Sequence, residues 1–289
     1  MIQARRARDE SRLPLALLGA VLCSLLLIAG TAPAAPAAPA APARSFVVLR
    51  EYGAGTASRA QPYLDELLRV VAEQNHWLNA SGRYFSERAS ALAFVRQEKP
   101  DFGILSLSAY LALQDTLSPS VIGEVTAPQA GGRQYFLVSK QARALAGCVG
   151  HRLSSTFASD AKFIDRVVAA GAFRLGDFTL VPAQRPLEPL KQVIRDEADC
   201  ALIDDAQLAA TAHIERGSEL RTLWHSAELP GMAVVALPRA DAAAVKGLKQ
   251  SLGGLCAKAK QACASVGIDL IRASSDERYR ALLAQYSKP

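Results

Sequence analysis

The 289-residue sequence is missing most of the short motifs that announce catalysis or metal binding. It has no Cys-x-x-Cys, no His-Glu-x-x-His and no Gly-x-Ser-x-Gly. Those absences remove the zinc-binding helix of metalloproteases and the nucleophile elbow of hydrolases. The four histidines, His76, His151, His213 and His225, are scattered and without obvious partners, so no metal and no cofactor are expected. A spatial triad is the one enzymatic route left open, and the chain is read as a non-enzyme. Aromatic residues make up only 6%, and no Lys/Arg cluster is interleaved with them, which speaks against a nucleic-acid partner. The excess of positive charge is small. The formal net charge is +6, and beyond residue 43 there are 29 basic and 25 acidic residues spread along the chain. A weak positive field of that kind suits a small anion. Half of the residues are hydrophobic, enough to build a core in two lobes of ordinary size.

The start of the chain has its own layout. Arg5, Arg6, Arg8 and Arg12 precede an almost wholly apolar run, Leu13 to Gly30, followed by small residues and repeated Ala-Ala-Pro as far as Ala43. This pattern predicts a secretory signal peptide over residues 1–34 and an extended Ala/Pro-rich linker over 35–45. Ala-x-Ala steps allow cleavage after Ala34 or Ala43. The alternative is an uncleaved anchor, because the run approaches the ~18–20 residues that cross a bilayer. Leu22, not a small residue, precedes Cys23, which argues against a lipid anchor.

Four cysteines follow, and an even number in an exported chain favours disulfides. Cys256 and Cys263 are the favoured pair. On one unbroken helix their Cα atoms would be ~10 Å apart, whereas a disulfide needs less than ~7 Å, so a turn must intervene. Cys148 and Cys200 open two expected strands, and either pair or are simply buried.

From Ser45 onward the pattern alternates between strands and helices. Strands are expected at Ser45–Arg50, Arg83–Phe85, Phe102–Leu105, Ser120–Thr126, Tyr135–Ser139, Leu145–Leu153, Phe178–Val181, Leu220–Trp224 and Ala233–Pro238. Between them lie amphipathic helices, such as Pro62–Glu73 with Leu64, Leu67, Leu68 and Val71 on one face, and Ser86–Gln97 with Leu92, Phe94 and Val95 inward. Two units resemble each other. Glu98-Lys99-Pro100-Asp101 leads into an apolar strand that ends at Ser106-Leu107-Ser108, and Glu197-Ala198-Asp199 leads into one that ends at Asp204-Asp205. Alternation of this kind predicts parallel sheets with crossover helices, and functional rims at the strands' carboxyl ends. The first rims offer Tyr52, Thr56, Tyr84, Ser106 and Ser108. In the second half, Ser154, Ser155 and Thr156 are expected just before a helix from about residue 158 to 170, where hydroxyls and a helix N-terminus suit an oxyanion. Arg185 follows a strand and offers forked donors; of Asp204 and Asp205, one is expected to cap the next helix and the other to take a cationic group or a ligand hydroxyl.

These residues resemble the periplasmic phosphonate/phosphate-type solute-binding proteins of ABC importers. The resemblance rests on Tyr84-Phe85 before a helix, Glu98–Ile104, Leu145-Ala146-Gly147, Ala198-Asp199-Cys200-Ala201 and the loop His225–Pro230. It implies an α/β, two-lobed type 2 periplasmic binding protein fold, each lobe a mainly parallel sheet flanked by helices. Residues 46–130 and 239–289 form lobe 1, and 131–238 form lobe 2. It also implies a monomeric periplasmic protein that captures a small oxyanion between the lobes and hands it to an ABC permease or a membrane sensor. Tyr84, the Ser154–Thr156 turn and Asp204 fall near the family's ligand contacts. The chain departs from the pattern at Phe157, where the phosphate turn has Gly, and at Gln184 or Arg185, where a His is expected. A binding-fold envelope protein acting as a sensor or accessory partner, without a transport role, is the alternative.

Overall fold

The computed structural model describes residues 42–52 and 57–288. The expected signal peptide, most of the Ala/Pro tract and Thr56 lie outside the described residues.

Strand β1 (Ala43–Leu49) begins inside the segment expected as linker. Its backbone pairs with β2 from Ala43 onward, and Arg44 is held by Asp101 and Asp241. Helix α1 (Ala57–Gln74) buries Leu64, Leu67, Leu68 and Val71, the stripe its spacing predicts. It starts five residues before Pro62, where Ala57 and Ala60 favour helix. Strand β2 (Asn79–Phe85) is longer than expected. Its first half is polar and small, and an edge position beside β1 supplies the pairing that its sequence does not advertise. Helix α2 (Arg88–Glu98) fully buries only Ala91, and Leu92, Phe94 and Val95 rest half-buried against the core. Strand β3 (Phe102–Leu105), helix α3 (Leu107–Leu117) and strand β4 (Ser120–Thr126) follow.

Residues 127–134 cross to a second sheet, which starts with β5 (Tyr135–Ser139). The strand expected over Leu145–Leu153 is replaced by a 3-10 turn, Leu145–Gly147, and a shorter strand β6 (Arg152–Ser155). Gly150 turns the chain at φ +79°, and Cys148 is tied to Cys200. Ser154 and Ser155 therefore end a strand instead of opening a helix. Helix α4 (Ala161–Phe163), capped by Asp160, continues as a π-type turn over Ile164–Val168. Then come β7 (Thr179–Pro182), α5 (Glu188–Ile194), β8 (Cys200–Asp204), α6 (Asp205–Ala210) and β9 (Arg221–His225).

The chain returns earlier than expected. Strand β10 (Met232–Ala236) lies between β3 and β4 in the first sheet, so the second lobe ends before Met232 and not at Pro238. Next comes helix α7 (Ala242–Ser251), followed by the short helices α8 (Leu255–Lys258) and α9 (Lys260–Ser265). Strand β11 (Leu270–Ala273), which the sequence did not announce, pairs with β4, and helix α10 (Glu277–Ser287) ends the described chain.

The sheet orders are β11-β4-β10-β3-β1-β2 and β7-β6-β8-β5-β9. Parallel pairing holds for β2-β1-β3 and β7-β6-β8, while the strands beside the crossings pair antiparallel, so both sheets are mixed rather than mainly parallel. The two similar units do the same job. Asp101 accepts from Ser45 N at 2.9 Å and fixes the start of β1. Asp199 accepts from Arg152 N at 3.0 Å and fixes the start of β6. Both aspartates sit at the amino ends of their sheets, which leaves the carboxyl ends of β1, β3 and β8 for the cleft.

One buried cluster runs through both lobes, from Leu107, Tyr110 and Tyr279 to Tyr135, Phe157 and Phe163. Helix α10 reaches the second lobe directly: Arg166 Nη1 donates to Tyr286 O at 2.9 Å, and Gln285 Nε2 to Arg166 O at 2.6 Å. Each disulfide stays within a lobe. Cys256 and Cys263 bond with Cα atoms 5.7 Å apart because the chain leaves helical geometry at Ala259. Cys148 and Cys200 are also bonded, with Cα atoms 6.0 Å apart. Their separations of 52 and 7 residues predict unequal contributions. Loop entropy gives ~4 kcal/mol for the longer and ~2 kcal/mol for the shorter. Replacing Cys148 and Cys200 by alanine is expected to lower the urea midpoint more than replacing Cys256 and Cys263 does.

Candidate ligand-binding cleft

The carboxyl ends of β1, β3 and β8 meet the two crossing segments around one cavity of about 40 Å³. That is room for a few waters or a small ion. Arg50, Ser106, Ser108, Gly131, Arg133 and Asp204 are among the residues on its wall. Ser106 caps α3, accepting from Ala109 N at 3.4 Å, and its hydroxyl lies 3.4 Å from that of Ser108.

Asp204 is 5% exposed and caps α6. It accepts from Gln207 N at 2.9 Å, and the Gln207 side chain accepts from Asp204 N at 2.9 Å. Burial pushes its carboxyl up to about 7, with Asp205 adding to the rise, while the Gln207 amide and Arg50 pull the other way. Asp204 is packed directly against the crossing segment. Gly131 has φ +73° and ψ −173°, a region essentially reserved for glycine, and a Cβ there would come within 2.0 Å of Asp204 Oδ2.

Glu51, two residues beyond β1, stands on the first-lobe wall of the cavity. Arg88 Nε and Nη2 donate to its two oxygens at 2.9 and 2.8 Å, and Ser108 Oγ donates to Oε2 at 3.3 Å. The same Arg88 Nη2 donates to Asp160 Oδ2 of the second lobe at 3.0 Å. Burial alone would lower the proton affinity of Arg88, but Glu51 and Asp160 outweigh it and hold the guanidinium above its usual range. Tyr52, in the left-handed region at φ 61°, also crosses the cleft. Its hydroxyl is 3.2 Å from Ser159 Oγ, and its ring meets Phe157 edge-on at 5.2 Å. Burial raises the Tyr52 phenol, against the hydrogen bond with Ser159.

A wider, open groove of about 730 Å³ lies outside this contact, lined by Tyr52, Ser86 and Glu87 on one side and by Ser155, Thr156 and Arg185 on the other. Of the expected site residues, Tyr52, Ser106, Ser108 and Asp204 thus meet in the inner cavity, and Tyr52, Ser155, Thr156 and Arg185 in the outer groove. Thr156 Oγ1 is buried without a partner. Ser155 has its hydroxyl donated to Leu202 O at 2.8 Å, and Ser154, fully buried, donates to Gln192 Oε1. Tyr84 faces a separate apolar pocket of about 80 Å³ beside Leu64, Leu67 and Met232. Burial raises its phenol, against the charge and hydrogen bond of Arg50.

The comparisons with known proteins bear on the fold. Residues 169–279 match the profile of a family described as ABC transporter, phosphonate, periplasmic substrate-binding protein. A binding protein component of an ABC phosphonate transporter from Pseudomonas aeruginosa superposes with a TM-score of 0.62 at 15% identity, covering 84% of each chain. The fold is that of a type 2 periplasmic binding protein. The match over 169–279 is to the family the sequence resembles, and it contains the second of the two similar units. Other solved structures of similar fold include a Xanthomonas citri protein bound to ATP, with a TM-score of 0.65 at 13% identity, covering 84% of this chain and 97% of that one. A Prochlorococcus marinus protein in complex with methylphosphonate has a TM-score of 0.62 at 10% identity, covering 83% and 95%. No curated protein matches by sequence. In this type 2 fold, the signals that pointed to the cleft were the strand carboxyl ends. Glu51 stood one residue before a named rim residue, and only its tertiary partners Arg88 and Asp160 give it meaning.

Two consequences are measurable. Gly131→Ala is expected to lose stability on the order of 1–3 kcal/mol and to displace Asp204, read from denaturant titration. In Asp204→Asn the cap is kept and the charge removed. The folded carboxyl holds its proton to about 7, whereas the unfolded one releases it near ~3.9. Stability is therefore fully present below the unfolded value and is lost as the pH rises through the folded one. Asp204→Asn should gain on the wild type between pH 4 and pH 8, by on the order of 2–4 kcal/mol. A difference that stays flat with pH would refute the assignment.

Proposed function

We propose that the protein is a periplasmic solute-binding protein that captures a small oxyanionic solute, phosphate- or phosphonate-like, in the cleft between its lobes and delivers it to an ABC importer. The observation that carries this reading is the convergence of Ser106, Ser108, Arg50, Arg133 and Asp204 on one small cavity at the strands' carboxyl ends. Arg133 Nε is buried there without a partner, a donor suited to a ligand oxygen. Asp204 serves as a donor to the same solute when protonated. The start of α3 adds backbone N–H groups and the positive end of its dipole. The family profile and the methylphosphonate complex of the Prochlorococcus relative support the same solute class. A solute that contacts both sides of the cleft favours the closed arrangement of the lobes.

The small inner cavity favours a second reading, an envelope protein that uses the binding fold as a sensor or accessory partner without transporting anything. Thermal-shift titration of the mature protein with phosphate, phosphite, methylphosphonate and sulfate separates the two. An oxyanion at 100 times its dissociation constant adds ~2.7 kcal/mol of stability. Ser108→Ala should weaken the binding of the active oxyanion by about fivefold. No shift with any of the four favours the second reading.

A further inference from the structure

Glu51 stands where an oxyanion would stand. Its carboxylate lies against the first turn of α3 and takes the Ser108 hydroxyl at 3.3 Å. Two donors of Arg88 grip it at 2.9 and 2.8 Å, and its side chain is only 8% exposed. Arg88 does not belong to one lobe's chemistry alone. The nitrogen that reaches Glu51 Oε2 also reaches Asp160 Oδ2 at 3.0 Å, and the Asp160 side chain is likewise 8% exposed. Asp160 is fixed in its turn, because its other oxygen accepts from Phe163 N at 3.4 Å and caps α4. Tyr52, the residue after Glu51, makes the neighbouring contact with Ser159. The cross-cleft bond between the lobes is therefore built on a carboxylate that sits among the donors a solute needs.

We propose that Glu51 is an internal occupant of the oxyanion seat: through Arg88 and Asp160 it holds the lobes together in the absence of solute, and an entering oxyanion must displace it. Two anions cannot share the Ser108 hydroxyl without strong mutual repulsion. When Glu51 leaves, Arg88 loses the bidentate partner that aims it at Asp160, and its donors become available to the solute. Glu51 thereby sets the threshold that an oxyanion has to pass, and it discriminates against weakly bound anions. The displacement half of this inference rests on the solute-binding reading, and the closure half does not.

Small-angle scattering of the solute-free mature protein tests closure without any ligand. The wild type is expected to be compact, and Glu51→Ala and Arg88→Ala are expected to show a larger radius of gyration at unchanged circular dichroism. Glu51→Gln, which keeps the shape and removes the charge, should move in the same direction and stands in if either alanine variant fails to fold. A wild type already as expanded as the variants, or variants as compact as the wild type, overturns closure. Calorimetric titration with sulfate and with methylphosphonate tests displacement. Glu51→Ala should bind at least one of them about tenfold tighter than the wild type, which corresponds to ~1.4 kcal/mol. Equal or weaker binding by Glu51→Ala overturns displacement. Expansion of the variants with no anion bound by any form would sink the solute-binding reading and leave the closure standing.

Discussion

One guanidinium carries two nearly buried carboxylates from opposite sides of the cleft. Among the described residues, Arg88 forms an ion pair with both Glu51 and Asp160, and each carboxylate is 8% exposed. Leaving such a carboxylate unpaired costs ~3–5 kcal/mol, so the geometry of the rim follows the arginine. Tyr52 is drawn across to Ser159 and Phe157 beside it. Asp160 is held where it caps α4, and Glu51 is held against the start of α3. The arrangement costs the protein conformational freedom at its cleft and gives the two lobes a defined relation at that edge.

The frame behind this contact is simple. Each sheet has an aspartate at the amino end of a central strand, Asp101 and Asp199, that pins the start of the neighbouring strand. With the amino ends fixed, the carboxyl ends of β1, β3 and β8 point to a common space, where a doubly wound sheet places its ligands. Helix α10 adds a third connection. It leaves the first lobe and hydrogen-bonds to the 164–168 turn of the second. The crossing segments, the Arg88 bridge and α10 together connect the two lobes.

Much of the scaffold was legible because buried strands are short apolar runs between turn signals. The bounds of β3, β4 and β5 match their sequence reading residue for residue, and β8 differs only at its margins. Edge strands were less legible. The first half of β2 is Asn-Ala-Ser-Gly, and β11 has one buried residue, Ile271. Both exist because a neighbour offers a ladder, not because of their own periodicity. The stretch from Leu145 to Leu153 reads as a strand by hydrophobicity, but two glycines and a disulfide impose a turn. The site divides in the same way. Ser106, Ser108, Tyr52 and Asp204 were found by their place at strand ends. Glu51, Arg88 and Asp160 are 37 and 72 residues apart along the chain and share no periodicity, so their joint role appears only once the lobes face each other.

The position of β10 constrains how the chain is assembled. In the finished sheet β4 is bonded only to β10 and β11, and β10 also covers one edge of β3. Until residues 232–236 arrive, β4 has no strand beside it and β3 has an open side. The contiguous second lobe, from residue 135 to 225, already contains all five of its strands by then. The N-terminal third of the protein is thus made first and completed last. During that interval it presents three bare strand edges, both of β4 and one of β3, which makes the first lobe the part of the nascent protein most in need of shielding from other chains.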